Sequence, residues 1–321
     1  MRVYRWDLDK TYLDTDFHSL RGVLRAATEP AHRKRALPGA GALLRSLSGQ
    51  EDASVMVVSG SPRQMHSVLS EKLKLDGIQF DELVLKDNLG NVRRGRFRAI
   101  KGQIGYKLPA LLSARLRTPV GAKEVLFGDD VEADALVYSL YADAIAGRIG
   151  SAEVSRVMEK AGAYPDEIDQ ALEALVDIPR ADAVERVFIR QERGVSIERL
   201  AALGRRVVPV RSWWQGALVL AEMGHLSHSA AASVMIRVFE GEGRDPWVLG
   251  ALAQDLVRRG CVGAECFERL EGPDPLVTSI QRAVTRLGPD SGGTDAVRDE
   301  GGIDYMDLLT NGGWGSHGHL E

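Results

Sequence analysis

The chain has 321 residues, of which 44% are hydrophobic and 27% are charged, and its formal net charge is -4. This length allows one large domain together with a smaller one, and the charge predicts no general nucleic-acid-binding surface. No apolar run approaches the roughly twenty residues that span a bilayer. The two cysteines, Cys261 and Cys266, are too few for a disulfide framework. We therefore expect a cytoplasmic protein that has no transmembrane segment.

Short apolar runs alternate with helical patterns from the N-terminus to about residue 225. Most of these runs are apolar throughout, as in strands that are buried on both faces of a parallel sheet. The succession of strand, helix and strand predicts a doubly wound α/β domain. The strand candidates are VYRW (3–6), SVMVVS (54–59), ELVLK (82–86), KEVLFG (123–128), VERVFIR (184–190) and RRVVPV (205–210).

The helix candidates lie between these runs. PGAGALLRSL begins at Pro38, and SPRQMHSVLSEKLKL has Ser61 as its predicted N-cap and Pro62 in its first turn. YKLPALLSARL follows, and VEADALVYSLYADAIAG ends at Gly147 as a glycine-capped helix would. Residues 151–177 are predicted to be additional helices inserted before the fifth strand, and SWWQGALVLAEMG (212–224) is the last predicted helix of the domain.

The pattern divides the chain into three parts. Residues 1–225 form the predicted α/β domain, residues 226–287 a small helical region, and residues 288–321 a glycine-rich tail. The composition of the tail predicts disorder, with a short docking helix in the segment IDYMDLL as the alternative. The helical region is a candidate surface for a protein partner.

Polar side chains follow three of the predicted strands. Asp7, Asp9 and Thr11 follow the first strand, Ser59 ends the second, and Gly128, Asp129 and Asp130 end the fourth. Ligands bind at the carboxyl ends of the strands in open parallel sheets, so these groups are expected to lie together. Several carboxylates, one hydroxyl and a nearby lysine are the groups that Mg²⁺-dependent phosphoryl transfer to an aspartate requires.

These residues resemble the motifs of the haloacid dehalogenase (HAD) superfamily of phosphatases. DLDKT (7–11) is similar to its D-x-D-x-T signature, and VMVVS, which ends at Ser59, resembles its second motif. Lys107 resembles the third motif, and GDDVEAD (128–134) is similar to the fourth in its G-D-x4-D form. The resemblance implies a HAD-like, Rossmannoid parallel sheet.

A narrower resemblance is to the catalytic domain of the actin-patch-associated phosphatidate phosphatases. SGSPRQM (59–65), YKLPALL (106–112) and VLFGDDVEADALVY (125–138) carry it. The chain departs from that family at three positions. The family favours an aspartate where Lys10 stands, a tryptophan where Arg63 stands and a serine where Asp130 stands.

The resemblance implies a role for each catalytic candidate. Asp7 is the expected nucleophile and Asp9 the general acid and base. Ser59 is expected to donate a hydrogen bond to a phosphoryl oxygen, and Lys107 to balance the negative charge. Lys101 is the alternative to Lys107.

The resemblance also implies a Mg²⁺ site. Asp7 and Asp129 are expected to coordinate the ion through their carboxylates, and Asp9 through its backbone carbonyl. Asp130 and Asp134 are expected to position bound water or the coordinating acids.

The intervals between the motifs leave room for little more than the sheet domain itself. The site is therefore expected to be capless, or lightly covered by a flap over residues 12–35. The predicted function is a Mg²⁺-dependent phosphatase, with a lipid phosphate such as phosphatidate as a candidate substrate and peripheral contact with a membrane. The alternative is a scaffold or phosphoryl-sensing module without turnover that acts through its C-terminal helices.

Overall fold

A six-stranded parallel sheet forms the centre of the protein, in the strand order β3-β2-β1-β4-β5-β6. The computed structural model describes residues 1–15, 29–87, 102–192, 194–243, 245–270, 275–287 and 302–311. The sheet and the helices on both of its faces confirm the predicted doubly wound fold. The strands are β1 (Arg2–Asp7), β2 (Ala53–Pro62), β3 (Glu82–Lys86), β4 (Lys123–Asp129), β5 (Val184–Arg190) and β6 (Val207–Val210).

The helices connect the strands and continue beyond the last of them. Those within the sheet domain are α1 (Ala40–Ser48), α2 (His66–Leu75), α3 (Ile104–Leu116), α4 (Asp134–Ala146), α5 (Ser151–Lys160), α6 (Pro165–Asp177), α7 (Ile197–Ala201) and α8 (Trp213–Glu222). After them come α9 (His228–Glu242), α10 (Pro246–Arg258), α11 (Glu265–Glu268), α12 (Pro275–Leu287) and α13 (Tyr305–Thr310). The helices predicted between residues 151 and 177 are therefore present as α5 and α6.

Each face of the sheet has its own hydrophobic core. Trp6 contributes to one of these cores and stacks on Phe127, with 4.1 Å between the ring centroids. The same core includes Val234 of α9 and Leu249 of α10, so the C-terminal helices cover this face together with α1 and α8. Helices α3 to α6 cover the opposite face.

The domain boundaries at residues 225 and 287 remain a prediction. The segment IDYMDLL contains α13, where Tyr305 is fully buried and donates a hydrogen bond of 2.6 Å to Asp143 of α4. Residues 288–301 and 312–321 of the predicted tail lie outside the described residues, as do residues 16–28 of the predicted flap. Across the described ranges, no helix is both long enough and apolar enough to span a bilayer.

The predicted start of α2 is wrong. Ser61 and Pro62 belong to the end of β2, a 3-10 turn follows over Arg63–Met65, and α2 begins only at His66. Ser61 does not cap the helix because its hydroxyl donates a hydrogen bond to Asp9 instead. A tertiary contact has replaced the local cap that the Ser-Pro pair suggested.

A buried charge cluster lies beside the central strand. Glu124 accepts hydrogen bonds from Arg5 at 2.7 Å, from Arg115 at 3.0 Å and from Tyr141 at 2.8 Å. Burial alone would raise the pKa of Glu124, but the two guanidinium groups and the hydrogen bonds outweigh burial and lower that pKa. Glu124 therefore stays ionised and compensates two buried cations.

We expect Glu124→Gln to lower the free energy of unfolding by about 3–5 kcal/mol, because it leaves buried guanidinium groups without a countercharge. Urea unfolding measures this change. Glu82→Gln is the matched control, since Glu82 pairs with Arg117 through side chains that are 38% and 57% exposed, and loss of such a pair costs less than about 1 kcal/mol. Equal losses in the two variants would contradict the structural role of Glu124.

Candidate active site

The predicted site residues meet at the carboxyl edge of the sheet, where β1 lies between β2 and β4. Strand order changes direction at this point, which is where open α/β sheets bind ligands. Asp7 is the last residue of β1 and Asp129 the last residue of β4, and both side chains are fully buried. The topology therefore brings together acids that are more than one hundred residues apart in the chain.

Lys107 lies at the centre of the site. Helix α3 places its ammonium group 2.7 Å from Asp7 Oδ1 and 2.8 Å from Glu132 Oε2, and it also donates a hydrogen bond to Asp134. The alternative lysine, Lys101, lies outside the described residues. These contacts place the ammonium group among the acids, and the charge-balancing role of Lys107 stays a prediction.

Asp9 is held by two hydroxyl groups from β2. Ser59 Oγ and Ser61 Oγ donate hydrogen bonds to Asp9 Oδ2 at 2.9 and 2.8 Å. The backbone N–H of Ser61 donates in turn to Ser59 Oγ at 3.0 Å. Ser59 therefore contacts the predicted acid–base group, and Ser61 is a site residue that the sequence analysis assigned to a helix cap.

Asp129 is fixed by the loop that follows it. Its Oδ1 accepts hydrogen bonds from the backbone N–H groups of Val131 at 2.5 Å and Glu132 at 3.0 Å. Thr11 Oγ1 donates to its Oδ2 at 3.3 Å, which links the first motif to the fourth. These bonds fix the orientation of the Asp129 carboxylate at the strand end.

Asp130 lies next to Asp129 in the chain but does not join the acid cluster. Its carboxylate accepts hydrogen bonds from the backbone N–H groups of Glu192 at 2.6 Å and Val195 at 2.8 Å. The side chains of successive residues at a strand end point to opposite sides, so the side chains of Asp129 and Asp130 contact different loops. Asp130 therefore faces the chain after β5, and its predicted support of the metal stays a prediction.

Three acids form a candidate metal centre. One carboxylate oxygen from each of Asp7, Glu132 and Asp134 lies within 4.8 Å of the other two. In the described part of the chain, Asp7 Oδ2 is buried without a hydrogen-bond partner, and burial of a polar atom without a partner is unfavourable. Clustered carboxylate oxygens and an unsatisfied buried oxygen fit a hard divalent cation.

Glu132 was not among the predicted site residues. It lies in the GDDVEAD segment, three residues after Asp129, and its side chain is 21% exposed. A glutamate in a polar loop is not part of a hydrophobic periodicity, so the sequence pattern does not indicate which way its side chain points. The lysine contact that identifies it arises only when α3 packs beside this loop.

The environment of the acids shifts their ionisation. Burial raises the pKa of Asp7, of Asp9 and of Asp129, and it raises the pKa of Asp134 to about 6 although Lys107 opposes the shift. Burial acts to lower the pKa of Lys107, but Asp134, Asp7 and Glu132 outweigh it and raise that pKa. The site thus holds an excess of carboxyl groups around one buried ammonium group, an arrangement that a divalent cation would stabilise.

Gly128 permits the close approach of α4 to β4. A Cβ atom at this position would lie 2.5 Å from Asp134 Oδ2 and 2.8 Å from Tyr138 Cε2. Such distances are shorter than any normal contact. A side chain at residue 128 would therefore displace Asp134 from the cluster.

We expect Gly128→Ala to lower the free energy of unfolding by about 1–3 kcal/mol, because the core must move to accept the added methyl group. Urea unfolding provides the measurement. Gly121→Ala is the matched control, since a Cβ atom there meets nothing within 4 Å. The tight packing described here would be refuted by equal stabilities of the Gly128→Ala variant and the wild type.

Comparison with known proteins identifies the region that contains the site. No curated protein and no solved structure matches the chain significantly. Residues 6–153 match the family model described as phosphatidate phosphatase APP1, catalytic domain. This match includes all four motifs that the sequence analysis singled out and confirms the predicted resemblance. Residues 6–153 are therefore similar to the catalytic domain of phosphatidate phosphatase APP1, a HAD-like family.

Proposed function

We propose that this protein is a Mg²⁺-dependent phosphomonoesterase that acts on a lipid phosphate such as phosphatidate through an aspartyl phosphate on Asp7. The observation that carries the proposal is the contact of Lys107 with Asp7, Glu132 and Asp134, beside the unsatisfied Asp7 Oδ2. The family of residues 6–153 supports a phosphatase and the choice of a lipid phosphate.

The residues that would hold the ion are Asp7, Glu132 and Asp134, with Asp129 and the Asp9 carbonyl as further proposed ligands. When bound, a divalent cation neutralises a phosphate group and orients it for in-line attack. Lys107 remains beside Asp7, where its ammonium group stabilises negative charge on the transferring phosphoryl group.

The reaction has two steps. A carboxylate oxygen of Asp7 forms a bond to phosphorus while the bond from phosphorus to the leaving oxygen breaks, and Asp9 gives its proton to that oxygen. Water then attacks the phosphorus of the acyl phosphate and the bond to the Asp7 oxygen breaks. Asp9 takes the proton from the attacking water, so the enzyme is restored and orthophosphate is released.

The environment of Asp9 suits this alternation. Burial and the charge of Glu132 raise its pKa and favour the protonated acid, whereas the bonds from Ser61 and Ser59 and the charge of Lys107 favour the carboxylate. An acid–base catalyst is most effective when neither of its two forms is strongly disfavoured.

Removal of the nucleophile is the first test. We expect Asp7→Asn to reduce Mg²⁺-dependent phosphate release from p-nitrophenyl phosphate by roughly a thousandfold or more, because the covalent route is lost. Chelation of the metal should abolish the wild-type activity. Asp14→Asn is the control, since Asp14 is an acid close to the same turn whose side chain is 60% exposed.

The proposal fails if wild-type protein and Asp7→Asn are both folded and equally inactive, and if a broad substrate screen that includes phosphatidate also detects no phosphate release. That result would favour the scaffold alternative.

The leaving group tests the role of Asp9. We expect Asp9→Asn to reduce kcat/KM for phosphatidate in mixed micelles by roughly 10²–10⁴-fold, because an alkoxide leaves poorly without a proton. The loss with p-nitrophenyl phosphate should be smaller, since nitrophenolate leaves without protonation. The test compares the reductions in kcat/KM for the two substrates at one Mg²⁺ concentration. Equal reductions would exclude general acid catalysis by Asp9.

A further inference from the structure

The segment at the end of β5, residues 190–192, is hydrogen-bonded to the loop after β4, which carries Asp130 and Glu132. Asp130 is 5% exposed, and its carboxylate accepts hydrogen bonds from the backbone N–H groups of Glu192 and Val195. The Asp130 N–H donates to the carbonyl of Arg190 at 3.1 Å. One aspartate therefore fixes the path of the chain at this edge of the sheet.

The same segment reaches the turn that follows Asp9. Arg190 Nη1 donates a hydrogen bond to the Lys10 carbonyl at 3.4 Å, and Glu192 Oε1 lies 3.6 Å from Lys10 Nζ. Arg190 and Glu192 also form an ion pair with each other. Burial would raise the pKa of Glu192, but Arg190 and Lys10 outweigh it and lower that pKa. Glu192 thus stays ionised between two cations.

The contacted turn has a strained backbone. Lys10 has a φ of 61°, and it is the only non-glycine residue with positive φ in the described ranges. A side-chain-bearing residue in this conformation costs on the order of 1–3 kcal/mol and persists only where its surroundings hold it. Lys10 directly follows Asp9, so a change in its backbone conformation would move the turn that joins Asp9 to Thr11.

We infer that Asp130, Arg190 and Glu192 are positioning residues that hold the Asp9–Thr11 turn in its working conformation. The catalytic part of this inference depends on the proposed function. Asp130 acts through the backbone of the 190–192 segment and does not coordinate the metal. Arg190 and Glu192 lie beyond residues 6–153, so the site depends on chain outside the matched family region.

Kinetics distinguish positioning from metal binding. We expect Asp130→Ala and Glu192→Ala to lower kcat for p-nitrophenyl phosphate by about 10-fold to 100-fold, because small displacements of catalytic groups have effects of this size. The Mg²⁺ concentration for half-maximal activity should stay within about twofold of the wild-type value, since no ligand is lost. Asp130→Asn keeps one oxygen acceptor and should retain more activity than Asp130→Ala. Glu173→Ala, on the exposed face of α6, is the control.

Hydrogen exchange tests the turn without any turnover. The amides of Lys10, Tyr12 and Leu13 are hydrogen-bonded within the turn, and both alanine variants should raise their exchange rates at least about threefold. Wild-type protein without phosphatase activity would defeat the proposed function, while the exchange rates would still test the attachment of the turn.

The inference stands only if the exchange rates rise and kcat falls together at an unchanged Mg²⁺ requirement. A tenfold higher Mg²⁺ requirement in Asp130→Asn would show that Asp130 supports the metal and would overturn it. A change in only one of the two readouts, or kinetics and exchange equal to those of Glu173→Ala, would overturn it as well.

Discussion

The structure depends on the burial of one ammonium group among several carboxylates. Lys107 is fully buried against Asp7 and Asp134, and it also contacts the partly exposed Glu132. Isolated buried charges are strongly unfavourable, so every element that carries one of these groups must end within hydrogen-bonding distance of the others. This requirement ties α3 and the β4–α4 loop to the end of β1. The remaining excess of carboxyl groups is the physical reason to expect a cation at this edge.

The large apolar core holds the strand ends that carry this charge cluster. Trp6 and Phe127 stack directly beneath the strand ends that carry Asp7 and Asp129. The indole of Trp213 donates a hydrogen bond of 2.9 Å to the Thr11 carbonyl, so α8 also holds the first motif. Since α9 and α10 pack against the same core as α8, the C-terminal helices support the edge that carries the candidate site without supplying a described group to it. Strand ends held this firmly can keep charged side chains in one arrangement.

The strands and most of the helices could be predicted because their signals are local. Runs such as VMVV and VLF are apolar throughout, and only a strand covered on both faces buries them fully. The misplaced start of α2 has the opposite cause. Ser61 and Pro62 have the local chemistry of a helix start, but the hydroxyl of Ser61 is bonded to Asp9, fifty-two residues away. Single-sequence patterns do not contain such a contact.

The site residues could be predicted where they belong to motifs with a characteristic spacing. Asp7, Asp9, Ser59 and Lys107 belong to three of the four ordered motifs and meet at this edge, whereas Glu132 and Asp130 show the limit of that reasoning. Both are acids in the loop after β4, yet Glu132 faces Lys107 and Asp130 faces the chain after β5. Residue type and spacing do not separate them. The direction of each side chain distinguishes the two acids. That direction follows from the alternation of side chains at the strand end and from the groups that donate hydrogen bonds to each carboxylate. The carboxylate of Asp130 accepts hydrogen bonds from the backbone N–H groups of Glu192 and Val195, which hold it toward the chain after β5. Among the described acids of the site, Asp7, the proposed nucleophile, retains a buried oxygen without a hydrogen-bond partner.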